Sequence, residues 1–266
     1  MKYSFMSFST PQLSLDEMLL LAKKLGYDGI EPRLDAGHAH GVEVAADAAA
    51  RKAITQKVRR SGVALACLAT SCCYADPGQR EKAVADTHAR IDLAADVGAP
   101  RIRVFGGGFP ETVTREQAIG GLVEAFSSVA DHAARRGVTL CMETHDSWCD
   151  PKHVAEVMRR VDRPAIAVNW DIMHPVRAGN ATIEESFQTL RPWIRHLHVH
   201  DGESAAEGLK LVPIGTGVVD HRRAIELLAS AGYDGFISGE WIGWEPYEIH
   251  LPRELATMKR FERELA

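Results

Sequence analysis

Short apolar runs rich in β-branched residues alternate with amphipathic stretches along the whole chain. The period-two runs predict strands over 3–9, 29–33, 63–70, 100–105, 138–144, 165–171, 194–200 and 235–240. Between them the 3.6-residue pattern predicts helices over 15–25, 48–60, 80–97, 115–136, 152–160, 183–190, 221–231 and 252–265. Gly26, Gly62, Gly98, Gly137 and Gly232 each fall where a helix should end and a strand begin, the expected chemistry of an αβ joint. Two joints nearly repeat each other, Gly26-Tyr27-Asp28-Gly29-Ile30 and Gly232-Tyr233-Asp234-Gly235-Phe236. Eight βα units in 266 residues predict an α/β fold, a (β/α)8 TIM barrel forming one domain over 1–266. A doubly wound open sheet is the competing arrangement, because strand closure leaves no mark in a sequence.

One predicted strand stands apart. Arg195-His196-Leu197-His198-Val199-His200-Asp201 puts three imidazoles on one face and Leu197 and Val199 on the other. A buried imidazole row needs polar partners or a metal for its ring nitrogens. In a barrel the active site is built at the C-terminal ends of the strands, and three other predicted strands end in acids. The fifth ends in Glu143, the sixth in Asp171 with His174 just beyond, and the eighth in Glu240. A lone acid after a strand is ordinarily a helix cap or a solvated loop residue. Four consecutive strands delivering Glu, Asp, His and Glu to one rim form an oxygen-rich set. Such a set suits one divalent metal, Mn²⁺ first, with Mg²⁺ or Co²⁺ as alternatives and Zn²⁺ less favoured.

Composition narrows the function classes. The chain is 45% hydrophobic and 25% charged, with a formal net charge of −5, a pI near 6.2 and no basic run. That balance argues against nucleic acid or an anionic membrane as the main partner. No long apolar run follows Met1, so neither a signal peptide nor a membrane span is expected and the expected location is the cytoplasm. Five cysteines, with no two separated CxxC pairs, fit reduced thiols. The run Gly106-Gly107-Gly108 lacks the lysine and hydroxyl of a phosphate loop and predicts a loop that needs close approach or unusual dihedrals. A homo-oligomer is compatible with this composition.

Several motifs together carry a family resemblance. They are Glu143 within Cys141-Met142-Glu143-Thr144-His145, Asp171-Ile172-Met173-His174, His198-Val199-His200-Asp201, the turn Gly215-Thr216-Gly217, and Ser238-Gly239-Glu240-Trp241. With them the chain resembles the sugar isomerase/epimerase group of xylose isomerase-like TIM barrels, whose members include ketose 3-epimerases, hydroxypyruvate isomerase, inosose dehydratase and endonuclease IV. The resemblance implies that Glu143, Asp171, His198 and Glu240 bind one divalent metal, that His174 touches substrate, and that Glu143 and Glu240 exchange protons on opposite faces of a small sugar or keto-sugar. It thus implies isomerisation or epimerisation through an enediolate, with a lyase or dehydratase acting on a keto-sugar or inosose as the alternative and a non-catalytic sugar-binding barrel as a third reading.

Departures from the group's pattern shape the remaining expectations. His200 stands where lysine is common, and no arginine follows His198 closely, which leaves Lys210 as the next cation. His145 is read as a base or as a partner of the first ligand, while His200 and Asp201 are expected to reach toward substrate. Trp148, Trp241 and Trp244 fall just after ligand-bearing strand ends, where an indole could stack on a sugar. Trp148 is therefore placed with the substrate-binding residues. Trp170 is expected to pack under a helix. Glu31 and Arg33 end the second predicted strand and His38 and His40 follow in a loop; they read first as a solvated loop, with lining the pocket as the alternative. Endonuclease IV requires further histidines at the early strand ends, where this chain has Ala69-Thr70-Ser71-Cys72 and Val104-Phe105-Gly106.

Overall fold

In the computed structural model, which describes residues 1–205 and 208–265, the alternation closes into a barrel. Its strands are β1 (Lys2–Met6), β2 (Gly29–Glu31), β3 (Ala64–Leu65), β4 (Leu68–Cys73), β5 (Arg101–Phe105), β6 (Thr139–Glu143), β7 (Ile166–Asp171), β8 (Ile194–Val199) and β11 (Phe236–Gly239). An antiparallel hairpin, β9 (Asp201–Ala205) and β10 (Gly208–Val212), is inserted after β8. The helices are α1 (Leu15–Leu25), α2 (Ala48–Ser61), α3 (Pro77–Val97), α4 (Arg115–Arg136), α5 (Pro151–Val161), α6 (Met173–Arg177), α7 (Ile183–Leu190), α8 (His221–Ser230) and α9 (Tyr247–Arg263).

Nine parallel strands run in the order β3-β2-β1-β11-β8-β7-β6-β5-β4. The predicted third strand, 63–70, is the one that splits. Gly29 and Ile30 of β2 pair with Ala64 and Leu65, but Arg33 pairs with Ala69, so the register slips by one residue at Ala66-Cys67. A bulge of this kind bends the strand without ending it. Past the bulge, Leu34 N–H donates to the Ala69 carbonyl at 2.8 Å and Ala69 N–H to the Pro32 carbonyl at 3.0 Å. Counted as one bent stave, β3 and β4 bring the barrel to the eight predicted.

Local chemistry explains most boundaries. Capping boxes at Ser14/Glu17, Thr114/Gln117 and Thr182/Glu185 start α1, α4 and α7 at the predicted residues. Gly26 and Gly137 end α1 and α4 in the left-handed conformation that a side chain resists. The last helix begins at Tyr247, five residues before the predicted 252–265, and carries Pro252 inside it. His250 pins that early turn, one ring nitrogen 2.9 Å from the Glu245 carbonyl and the other 3.0 Å from Ser9 Oγ. Trp170 packs under α7 as expected, its indole N–H donating to Ser186 Oγ at 2.9 Å. Among the described residues no helix is long and apolar enough to cross a membrane.

Candidate metal centre and its mouth

The imidazoles of His196 and His198 on β8 and of His200 just after it are all buried. The deepest partner is Glu31. One carboxylate oxygen lies 2.7 Å from His196 Nε2 and the other 3.0 Å from His198 Nε2. The expectation of a solvated Glu31 is thereby corrected: its side chain is fully buried on the barrel axis. Burial alone would raise its carboxyl, but the imidazoles of His198 and His196 overcome that and hold it well below the usual range. A carboxylate on Nε2 fixes the His198 proton there and aims Nδ1 elsewhere, as a carboxylate does behind a metal-binding histidine.

Nδ1 of His198 looks at two glutamates, Glu143 Oε1 at 3.1 Å and Glu240 Oε2 at 3.4 Å. Strand register supplies the fourth group, since Asp171 of β7 stands directly opposite His198 of β8. Asp171 Oδ1 accepts the N–H groups of Met173 and His174 at 2.8 and 3.2 Å, capping the short helix α6. Its Oδ2 is buried with no hydrogen-bond partner. One donor atom each from Glu143, Asp171, His198 and Glu240 lie within 4.8 Å of one another. The structure therefore brings together the four residues expected to bind metal.

Electrostatics favours a cation at this point. Burial opposes charging His198, yet Glu31, Glu143 and Glu240 raise its imidazole well above the ordinary range. Burial likewise opposes ionising Glu240, and His198 and Arg103 hold it low. Among the described residues the guanidinium within ion-pair distance of these acids is Arg103, with Nε 3.0 Å from Glu143 Oε2 and Nη2 3.9 Å from Glu240 Oε1. The contact to Glu143 is off-axis, so it is an ion pair and not a hydrogen bond. Buried carboxylates this crowded need a compensating cation, and a divalent metal answers both the charge and the orphaned Asp171 oxygen. Two further groupings, Glu31 with His196 and His198, and Asp171 with His174 and His200, share residues with the four. In the first, contacts of 2.7 and 3.0 Å leave no room for an ion between the partners.

Above the cluster lies a cavity of about 270 Å³ lined by His145, His174, His200, Leu209, Leu211, Glu240 and Ile242. The ring centres of His145 and His174 are 4.3 Å apart, and those of His174 and His200 5.6 Å. Burial opposes a charge on His145, but Asp146 at 2.7 Å and the carboxylates of Glu143 and Asp171 push its imidazole up to about 9. His174 goes the other way, lowered by burial and by the charge of His145.

Three expected substrate contacts are corrected. Lys210 sits on the hairpin between Leu209 and Leu211; those two line the cavity, and alternation turns Lys210 to the exposed face. Trp148 is fully buried, its indole N–H donating to the Gly107 carbonyl at 2.8 Å. A Cβ on Gly106 would lie 2.2 Å from that indole, which is the close approach predicted for the glycine run. Asp201 faces away from the cavity into the loop, accepting the N–H groups of Gly202, Gly215, Gly217 and Val219 at 2.9, 2.9, 2.9 and 3.3 Å. Asp201→Asn, which loses acceptor capacity, is expected to cost about 1–3 kcal/mol. Chemical denaturation would show the loss, and an unchanged midpoint would remove this role.

Glu31 and Arg103 are the functional residues that sequence reasoning missed. Arg103 had a signal, a guanidinium midway along an otherwise apolar strand, Arg101-Ile102-Arg103-Val104-Phe105.

The family described as xylose isomerase-like TIM barrel matches residues 19–260. A 3-dehydroshikimate dehydratase from Bacillus anthracis is 26% identical over 166 residues, 56% of this chain and 58% of that protein. The alignment thus spans little more than half the length of that relative. An L-ribulose-5-phosphate 3-epimerase from Salmonella typhi is 26% identical over 228 residues, covering 82% of this chain and 79% of its own. The crystal structure of a probable 3-DHS dehydratase from Bacillus anthracis superposes with a TM-score of 0.81 at 22% identity, covering 97% of this chain and 99% of that one. At that identity the likeness speaks to the fold.

Proposed function

The chain belongs to the xylose isomerase-like TIM barrel family, and on that footing we propose that it is a divalent-metal-dependent isomerase or epimerase of a small sugar or keto-sugar, working through an enediolate. One observation carries this reading. Two buried glutamates from separated strands, Glu143 on β6 and Glu240 just after β11, converge on the same nitrogen of His198 at 3.1 and 3.4 Å. A polyhydroxy carbonyl compound set between them presents its α-carbon to a carboxylate on each side.

Glu143, Asp171, His198 and Glu240 would hold the metal, Mn²⁺ by preference for this donor set. When bound, the ion supplies Lewis-acid polarisation of the carbonyl and neutralises charge that develops on oxygen. One glutamate takes the α-proton, and the other returns a proton from the opposite face or to the neighbouring carbon. Proton transfer by a positioned carboxylate contributes roughly 10²–10⁴-fold. Leu209, Leu211 and Ile242 give the cavity an apolar side. Such a protein would work in the cytoplasm on a small-molecule carbohydrate.

A second reading is favoured by a separate observation. His145 lines the cavity two residues after Glu143 with its Nδ1 2.7 Å from Asp146 Oδ1, a placement from which it could give a proton to a departing hydroxyl. The same α-proton abstraction would then end in dehydration of a keto-sugar or related keto compound.

Two measurements decide. Elemental analysis of the purified protein, with and without added Mn²⁺, is expected to find one ion per chain, and a protein that takes up none sinks the reading. Incubation in D₂O with keto-sugars, aldo-sugars, sugar acids and inososes is expected to place deuterium at the carbon beside the carbonyl, with the hydroxyl count of the product separating isomerase from dehydratase. No exchange with any of them overturns both readings.

A further inference from the structure

His145, His174, His200 and Glu240 line the cavity, and the segment after β2 brings Arg33 close enough to Glu240 and Arg103 to feel their charges. After Glu31 the chain runs Pro32-Arg33-Leu34, and the alternation that aims Glu31 at His198 gives Arg33 the same face one step nearer the mouth. This segment is firmly held. Arg33 N–H donates to Ser7 Oγ at 2.8 Å. Its carbonyl lies 3.2 Å from His40 Nε2, while His40 Nδ1 accepts the N–H of Val42 at 3.0 Å, which places the His40 proton on Nε2, aimed at Arg33. Burial lowers the His40 imidazole to about 4, so the neutral ring keeps that tautomer.

The guanidinium itself is half-buried and only partly satisfied. One amino group donates to the Leu34 carbonyl and the other to Ser71 Oγ at 2.6 Å, with the ring of Phe8 5.9 Å away. Among the described residues no carboxylate lies within ion-pair distance of it. Asp35, two residues on, favours the Arg33 charge from a distance but pairs with Arg90 at 2.6 Å. A guanidinium carries five N–H donors in a rigid fork suited to carboxylate and phosphate. Burial weighs against the Arg33 charge, Arg103 adds to that, and Glu240 is close enough to favour it. An anion arriving here would meet an ordered, underused fork beside a hydroxyl.

We propose that Arg33, together with Ser71, anchors an anionic group of the substrate, a carboxylate or a phosphate, while the carbonyl end of the same molecule lies over Glu143 and Glu240. The placement of the carbonyl rests on the function proposed above. The anchor also answers a need created by the site, because a mouth floored by glutamates repels an anion unless a fixed cation receives it. Lys210, turned to the outer face of the hairpin, does not meet that need.

The test uses the full-length protein with Mn²⁺, its Arg33→Met and Arg33→Lys variants, and two anionic probes, inorganic phosphate and pyruvate, with binding followed by calorimetry. Arg33→Met is expected to weaken binding at least tenfold. Loss confined to phosphate identifies a phosphoester substrate, loss confined to pyruvate identifies a carboxylate, and loss of both supports an anion anchor for either. Arg33→Lys, which keeps the charge but loses the fork, is expected to fall between. It also serves as the second variant should the methionine form fold poorly. With paired substrates, Arg33→Met should raise KM for the anionic member at least tenfold, leave kcat within about threefold, and leave the neutral member unaffected. Equal affinity of wild type and both variants for both probes, at equal metal content, overturns the proposal. If no carbonyl compound exchanges its proton while anion binding still depends on Arg33, the isomerase reading fails and the anchor stands.

Discussion

Glu240→Gln is expected to lower turnover by about 10²–10⁴-fold, the range associated with removing a positioned general base. The carboxylate is buried, yet His198 first and Arg103 next keep it ionised, so it is ready to accept a proton in a site where an unpaired acid would be neutral. Glutamine keeps the shape and one coordinating oxygen but cannot take that proton. Metal affinity should therefore fall less than turnover. Asp171→Asn makes the contrast, because Asp171 offers its orphaned Oδ2 to the metal and is assigned no proton transfer. Saturating Mn²⁺ should restore much of the activity of Asp171→Asn and almost none of that of Glu240→Gln. The readouts are kcat, deuterium wash-in and metal per chain. A Glu240→Gln protein with full metal content and undiminished kcat would falsify the two-glutamate reading.

Glu143, Asp171 and Glu240 are visible in sequence because each ends an apolar run, and His198 because it alternates with Leu197 and Val199. A strand of period two has one direction, so an acid at its end can be assigned to the rim without knowing the neighbouring strand. The bracketing glycines and capping boxes likewise act within a few residues, and for that reason α1, α4 and α7 fall where predicted. Glu31 obeys a different rule. It ends a three-residue strand too short to show an apolar run, and its partners His196 and His198 are 165 and 167 residues away. Only closure of the barrel gives it a role, and closure depends on a one-residue bulge between β3 and β4 that no local pattern announces.

The loops after the strands failed for a related reason. Proximity to ligand-bearing strands predicts Asp201 and Trp148 near substrate, but proximity along the chain does not fix direction. Backbone N–H groups from Gly202 through Val219 converge on Asp201, and the carbonyl of Gly107 takes the Trp148 indole proton. Lys210 was misplaced because the hairpin itself was unforeseen. Its first strand, Asp201–Ala205, has no apolar alternation, and only Leu209 and Leu211 on the second betray the pattern. Once the hairpin exists, the period of two decides that the leucines face the cavity and the lysine does not.

The largest effect on stability is expected from Arg103→Met. The arginine is fully buried, stacks 4.0 Å over the Phe105 ring, donates to the Thr70 carbonyl at 2.9 Å and faces both Glu143 and Glu240. Burial opposes its charge, and the two glutamates more than offset that. Methionine fills much of the volume, so the loss is chiefly electrostatic: two buried carboxylates keep their desolvation cost without the guanidinium that faces both. Removing one partner of a buried pair typically costs about 3–5 kcal/mol, which for a chain of this size is roughly 10 °C in Tm. A divalent ion at the cluster should recover part of this, since ligand bound only by the folded state stabilises it by mass action. Thermal melting of wild type and variant, each with and without Mn²⁺, separates the contributions. The variant should lose most in the metal-free protein and should gain more from Mn²⁺ than wild type does. If metal-free Arg103→Met melts with wild type, the crowded acids are not held ionised by a compensating cation, and the electrostatic case for a metal at Glu143, Asp171, His198 and Glu240 falls with it.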